Sequence, residues 1–135
     1  MNQDRDQIYQ HSQEQIEPFR FDERVVKVFP DMIERSVPGY RPILEQLPLI
    51  TRRIVQSNSR VFDLGCSLGA ATLSLRRAIQ AEHCRITAVD CSSAMVARCQ
   101  EVVNKDNSRI PVEVVQADIL EYPIEQASLV VMNFT

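Results

Sequence analysis

No run of apolar residues in this chain is long enough to cross a bilayer as a helix, so no membrane partner is expected. Net charge is equally scarce. Fifteen Lys and Arg against eighteen Asp and Glu leave a formal charge of −3, which offers no basic footprint for the phosphates of nucleic acid. The N-terminus, MNQDRDQIYQHSQEQIEPFR, lacks the apolar core of a secretory signal, so a cytoplasmic location is expected. The four cysteines (Cys66, Cys84, Cys91, Cys99) lack Cys-x-x-Cys spacing and read as reduced thiols, with no metal site expected. No Gly-Lys-Ser/Thr loop is present, which excludes P-loop phosphoryl transfer. Neither is there a Gly-x-Gly-x-x-Gly loop or a Tyr-x-x-x-Lys pair, which argues against a nicotinamide oxidoreductase. The two histidines, His11 in the polar N-terminus and His83 in an expected loop, are poorly placed as general bases.

What is present is ordinary globular material. A 44% hydrophobic and 24% charged composition over 135 residues suits one domain with a real core. Residues 1–20 are Gln-rich, without periodicity, and are expected to be a mobile polar tail. Residues 21–57 read as a helical segment covering a site. Asp22 can cap a stripe of Val25, Val26, Val28 and Phe29, and Pro30 can open a second turn carrying Met32 and Ile33. After a Pro38-Gly39 turn, Ile43, Leu47, Ile50 and Ile54 recur at helical spacing and predict one buried face. Pro42 suits the first turn, while Pro48 predicts a kink.

From 58 to 135 the pattern becomes strand–helix–strand. Strands are predicted at 60–64, 85–89, 111–117 and 128–134. One helix runs through Ala71, Leu75, Ala78 and Ile79. Another, capped by Ser92 or Ser93, presents Met95, Val96, Cys99, Val102 and Val103. This predicts an α/β, Rossmann-like parallel sheet with helices on both faces, the first strand central and the fourth beside it. The chain stops at Thr135 directly on an apolar strand. An exposed apolar edge is an aggregation hazard, so the expectation is a fold truncated after its fourth strand, the N-terminal portion of a longer protein.

The strongest local signal is Asp63-Leu64-Gly65-Cys66-Ser67-Leu68-Gly69, a D-x-G-x-x-x-G loop between a strand and a helix. Glycine lets backbone approach a ligand closely, and the following helix turns unpaired N–H groups toward it. Asp90, ending the second strand 25 residues after Gly65, is placed to accept from both hydroxyls of an unphosphorylated ribose. Asp118 ends the third strand and Asn133 the fourth. Singly, each is as easily a turn or capping residue; jointly, they converge on one crevice with the glycine loop.

The glycine loop resembles the first motif of class I S-adenosylmethionine-dependent methyltransferases. Within that class the chain resembles the carboxy-S-adenosyl-L-methionine synthase family, in FDERVVKVFPDMIERSVPGY (21–40), VFDLGCSLGAATLS (61–74) and ASLVVMNFT (127–135). The resemblance implies a transferase that makes carboxy-S-adenosylmethionine and phenylpyruvate from S-adenosylmethionine and prephenate. In the family's scheme a sulfonium ylide captures released CO2, and a separate enzyme then modifies the wobble uridine of tRNA. It also implies a homodimer and, position by position, ligand contacts at Tyr40, Gly65, Cys66, Ser67, Asp90, Cys91, Asp118, Ile119 and Asn133, Tyr40 closing over the methionine end. No catalytic residue is implied within this chain. The family's carboxylate-binding arginine belongs to a C-terminal half. Arg52, Arg53, Arg76 and Arg77 are expected to be solvated helix-face residues instead. The alternatives are a methyltransferase acting on a small molecule or RNA, and an inactive fragment.

Overall fold

The computed structural model describes Pro30 and residues 38–133. The expected tail at 1–20, the capping Asp22, the stripe of Val25, Val26, Val28 and Phe29, and Met32, Ile33, Phe134 and Thr135 lie outside the described residues. Among the described residues the order is α1 (Tyr40–Ile54), β1 (Arg60–Leu64), α2 (Ala70–Ala78), β2 (Arg85–Asp90), α3 (Ser93–Lys105), β3 (Val112–Gln116) and β4 (Ala127–Val131).

The four strands form one parallel sheet in the order β3-β2-β1-β4. Val61 pairs with Ile86, and Ile86 with Val112, so these three share a face with Asp63, Ala88 and Val114. That face carries the main core. Leu47 of α1 and Leu75 and Ile79 of the α2 region pack on Val61, Ile86 and Val131, while Cys99 and Val103 of α3 pack on Ala88. The three described helices cover one face. Handedness puts α2 and α3 there, because β1→β2→β3 steps in one direction and right-handed crossovers in one direction return on one side, and α1 packs against α2. The opposite face buries Phe62, Leu64 and Val89 against Ala117, Ile119 and Tyr122, with the Phe62 and Tyr122 rings edge to face at 6.4 Å.

Helix α1 differs from expectation in which side it buries. Leu47 and Thr51 are buried and Leu44 packs beside them, whereas Ile43, Ile50 and Ile54 are exposed. A polar residue can hold the core position because Thr51 Oγ1 donates to the Leu47 carbonyl at 2.7 Å. The helix continues past Pro48. Proline cannot donate to the carbonyl four residues back; the Ser74 hydroxyl of α2 lies 3.5 Å from that orphaned Leu44 oxygen. Helix α3 starts as predicted, with Ser92 Oγ accepting from the Met95 N–H at 3.2 Å.

Arg76 is the second correction. It is not a solvated helix-face residue: its guanidinium donates to the carbonyls of Ile110 (2.8 Å), Val103 (3.1 Å) and Asp106 (3.1 Å), and pairs with the Asp106 carboxylate at 3.3 Å. It thereby ties α2 to the end of α3 and the start of β3. Arg77, exposed, reaches the same carboxylate.

Candidate functional site

Strand β1 runs into a loop whose shape its hydrogen bonds fix. The N–H groups of Gly65 and Cys66 both donate to the Val89 carbonyl, at 2.7 and 2.9 Å, and Gly69 N–H returns to the Cys66 carbonyl at 2.9 Å. Gly65 (φ 77) and Gly69 (φ 93) occupy the left-handed region that side chains avoid. Ser67 joins them at φ 50, and its strained backbone is held by its N–H donating to Asp90 Oδ2 at 2.9 Å. Gly69 has a second constraint: a Cβ there would sit 3.1 Å from the Cys99 sulfur.

Above the loop lies a cavity of about 380 Å³, walled by Tyr40 and Leu44 of α1, the 65–68 loop, Ala70 and Ala71 of α2, Val102 of α3, and Asn133 just beyond β4. It brings together five of the nine expected contacts: Tyr40, Gly65, Cys66, Ser67 and Asn133. Asn133 sits two residues past the end of β4 rather than within it. Asp90 stands directly behind the wall. It is buried, with Oδ2 on Ser67 N–H and Oδ1 accepting from Ser92 N–H at 3.0 Å, so it binds the loop to the start of α3. Each oxygen keeps a second lone pair.

Cys91, Asp118 and Ile119 are not in the cavity wall, although they lie beyond the same ends of β2 and β3. Cys91 is exposed, its carbonyl accepting from Gln116 Nε2 at 3.4 Å. Asp118 closes a turn: Oδ1 accepts from Leu120 N–H at 2.9 Å and its carbonyl from Glu121 and Tyr122. Ile119 packs on the face opposite the three described helices.

Among the lining residues outside the expected contacts is Asp63, the first residue of the glycine motif, which is 1% exposed. Its Oδ2 accepts from the Thr72 hydroxyl at 2.6 Å, and its Oδ1 has no partner. Burial pushes its pKa from 3.8 to about 6, against the pull of the Thr72 hydroxyl, and the neighbouring Asp90 charge adds to the rise. The signal was in plain view as the D of D-x-G; the orphaned oxygen was not. A buried carboxylate with a free oxygen suits a cation. Ala70 and Ala71, also in the wall, open α2, whose first turn has no side-chain cap and can receive an anionic or polar group. A ligand carrying an ammonium beside a carboxylate fits both. Cys66 faces the same space with its thiol held protonated, by its hydrogen bond with Cys99, by burial, and by the Asp63 and Asp90 charges. Among the described residues no three His, Cys, Asp or Glu side chains cluster as a metal site would require.

A parallel sheet with a glycine loop and two acidic residues at its carboxyl edge defines a nucleotide-type α/β domain. The chain belongs to the methyltransferase domain family, which matches residues 61–135. It is 54% identical, over 97% of its length, to the carboxy-S-adenosyl-L-methionine synthase of Erwinia tasmaniensis, and 53% identical over the same share to that of Salmonella paratyphi B. The chain spans 53% of the length of each of these relatives. Among solved structures, a Methanococcus maripaludis protein assigned as an S-adenosyl-L-methionine-dependent methyltransferase is similar with a TM-score of 0.60. The match has 25% identity and covers 87% of this chain and 52% of that one.

Proposed function

We propose that this chain is the S-adenosylmethionine-binding portion of a carboxy-S-adenosyl-L-methionine synthase, which takes S-adenosylmethionine and prephenate to carboxy-S-adenosylmethionine and phenylpyruvate. The observation that carries the reading is the 54% identity over nearly the whole chain, with the cavity seated on the glycine loop. In this reading Asp63 faces the ligand's ammonium and the first turn of α2 its carboxylate, while Tyr40 and Leu44 cover the methionine arm. Gly65, Cys66 and Ser67 present backbone along the ligand, and Asn133 closes the side toward β4. The second lone pairs of Asp90 take the ribose hydroxyls. Cys91, Asp118 and Ile119, beyond the ends of β2 and β3, flank the adenine. The product supplies modification of tRNA wobble uridine in the cytoplasm, and the working form is a homodimer. Methyl carbons beside a sulfonium are acidic, so the transfer replaces one methyl proton with the CO2 that prephenate releases, and the hydroxide that prephenate loses leaves with that methyl proton as water.

Arg76 is committed to Ile110, Val103 and Asp106, so it is not available as a clamp for the new carboxylate. The test is mass spectrometry of the purified chain, and of a version extended past Thr135, incubated with S-adenosylmethionine with and without prephenate. A prephenate-dependent gain of one CO2 on the ligand supports the synthase. S-adenosylhomocysteine formed with a methyl acceptor, and no carboxylated product from the extended version, would instead support a methyltransferase. The likeness to the Methanococcus maripaludis protein favours that second reading.

A further inference from the structure

Asp63 stands in the middle of the sheet with no polar side chain beside it. Its partners in register, Ala88 on β2 and Val131 on β4, are apolar and buried. Side-chain support for the carboxyl therefore comes from the helix layer, where Thr72 in the first turn of α2 reaches it. Thr72 is 0% exposed, and its hydroxyl donates to Oδ2 at 2.6 Å while Oδ1 has no partner. No lysine, arginine or histidine is among the described residues that line the cavity. We propose that Thr72 is the positioning residue of this site: its hydroxyl holds the Asp63 carboxylate by one oxygen, so that the other is presented to the ammonium of an amino-acid-type ligand. The proposal rests on the reading of Asp63 given above and deepens it.

A buried carboxylate without a cation has two ways to relieve its charge: it can turn about its own side-chain bond, or it can take up a proton. The Thr72 hydroxyl opposes both. A donor on Oδ2 restrains the carboxyl group, and a hydrogen bond to a charged acceptor is stronger than one to a neutral acceptor. Burial pushes the Asp63 pKa up to about 6, the Thr72 hydroxyl pulls it back, and the Asp90 charge adds to the rise. Without the hydroxyl the carboxyl stays protonated to higher pH, and its proton competes with the ammonium for the same group. The other titratable groups around this space are Asp90 behind the loop, the Cys66 thiol and the Tyr40 phenol, and all three are common to the variants compared below.

Two substitutions separate the hydroxyl from the bulk of the side chain. Thr72→Val keeps the shape and loses the donor, whereas Thr72→Ser keeps the donor and loses a methyl group. Calorimetric affinity of the full chain for S-adenosylhomocysteine is measured from pH 5.5 to pH 8 in both variants and the wild type. In parallel the Asp63 carboxyl is titrated by carbon-13 NMR without ligand, its signal assigned by its absence from Asp63→Asn. In Thr72→Val the carboxyl should titrate about one pH unit higher than in the wild type. Its affinity deficit should approach about tenfold at the acid end and narrow toward pH 8. Thr72→Ser should keep the wild-type midpoint and slope. A valine variant whose carboxyl midpoint is unmoved, or whose affinity falls equally at every pH, overturns the proposal, because lost packing alone does that. A serine variant that follows the valine variant overturns it as well. If Thr72→Val does not fold, Thr72→Ala takes its place in the same comparison. Wild-type protein that binds no S-adenosylhomocysteine sinks the functional reading instead, and the NMR midpoints still decide whether Thr72 holds the carboxylate.

Discussion

Replacing Asp63 by Asn tests the electrostatics of the cavity floor. The wild-type carboxyl is buried, shares one oxygen with Thr72 and leaves the other bare, which places its pKa at about 6 against 3.8 for an ordinary aspartate. The folded state therefore holds this proton more tightly than the unfolded chain does. Its contribution favours folding fully below about 3.8, and is lost as the pH rises through about 6. A shift from 3.8 to about 6 corresponds to about 3 kcal/mol between those limits. Asparagine keeps the shape and the acceptor for Thr72 but carries no charge, so its stability has no such dependence. Urea unfolding of both proteins, followed by circular dichroism from pH 4 to pH 8, isolates Asp63 with its coupling to Asp90, because the remote carboxylates cancel in the difference. The variant should gain on the wild type by about 2–3 kcal/mol as the pH rises across that window. A difference that stays flat with pH refutes the account.

Ligand binding reverses the preference. An ammonium placed at Asp63 stabilises the charged carboxylate, so below pH 6 the ligand has to displace a proton. Affinity of the wild type for S-adenosylhomocysteine should then fall by up to about tenfold per pH unit below 6, while the Asn variant binds more weakly and without that slope. Calorimetry at several pH values reads this directly.

Three further outcomes follow from single contacts. Asp90→Ala strips acceptors from the Ser67 and Ser92 N–H groups, and should cost about 1–3 kcal/mol in ligand affinity with a measurable loss of melting temperature. Gly69→Ala places a Cβ 3.1 Å from the Cys99 sulfur on a backbone at φ 93; about 1–3 kcal/mol of destabilisation by denaturant titration is expected, and Cys99→Ala should recover the part due to the clash. Arg76→Ala leaves the carbonyls of Val103 and Ile110 without their guanidinium donor and unpairs Asp106, so a loss of about 2–4 kcal/mol is expected, against near-neutrality for the exposed Arg77→Ala.

Strand positions and their order were readable because buried parallel strands are written as short apolar runs ended by polar residues, as in Arg60-Val61-Phe62-Asp63-Leu64 and Arg85 to Asp90. The buried face of α1 was not. Hydropathy favours Ile43, Ile50 and Ile54, and nothing local says that Thr51 satisfies its hydroxyl on its own helix and so can take the inner side. Arg76 was misread for a related reason: carbonyls from Val103, Asp106 and Ile110 converge on it only after two crossovers have closed. Of the expected contact positions, Gly65 was legible from the glycine loop and Asn133 from its strand end, Tyr40, Cys66 and Ser67 came through the resemblance, and all five line the cavity. The type and place of Asp118 are as well explained by the turn it closes.

The site's position follows from topology. The chain moves outward from β1 to β2 to β3, then returns past its start to add β4 on the other side of β1. Where the order reverses, the connections leave in opposite directions and open a crevice at the carboxyl ends of the strands. The cavity occupies that point, with Asp63 and the glycine loop beyond β1 on one side and Asn133 beyond β4 on the other. Two aspartates there, from adjacent strands, have been given different work by their neighbours. Asp90 spends its oxygens on the Ser67 and Ser92 N–H groups and so fixes the loop. Asp63 has a single hydroxyl partner and a bare buried oxygen, an arrangement that is costly until a cation arrives. The one shapes the loop by its hydrogen bonds; in the function proposed above, the other is the partner of the ligand's cation.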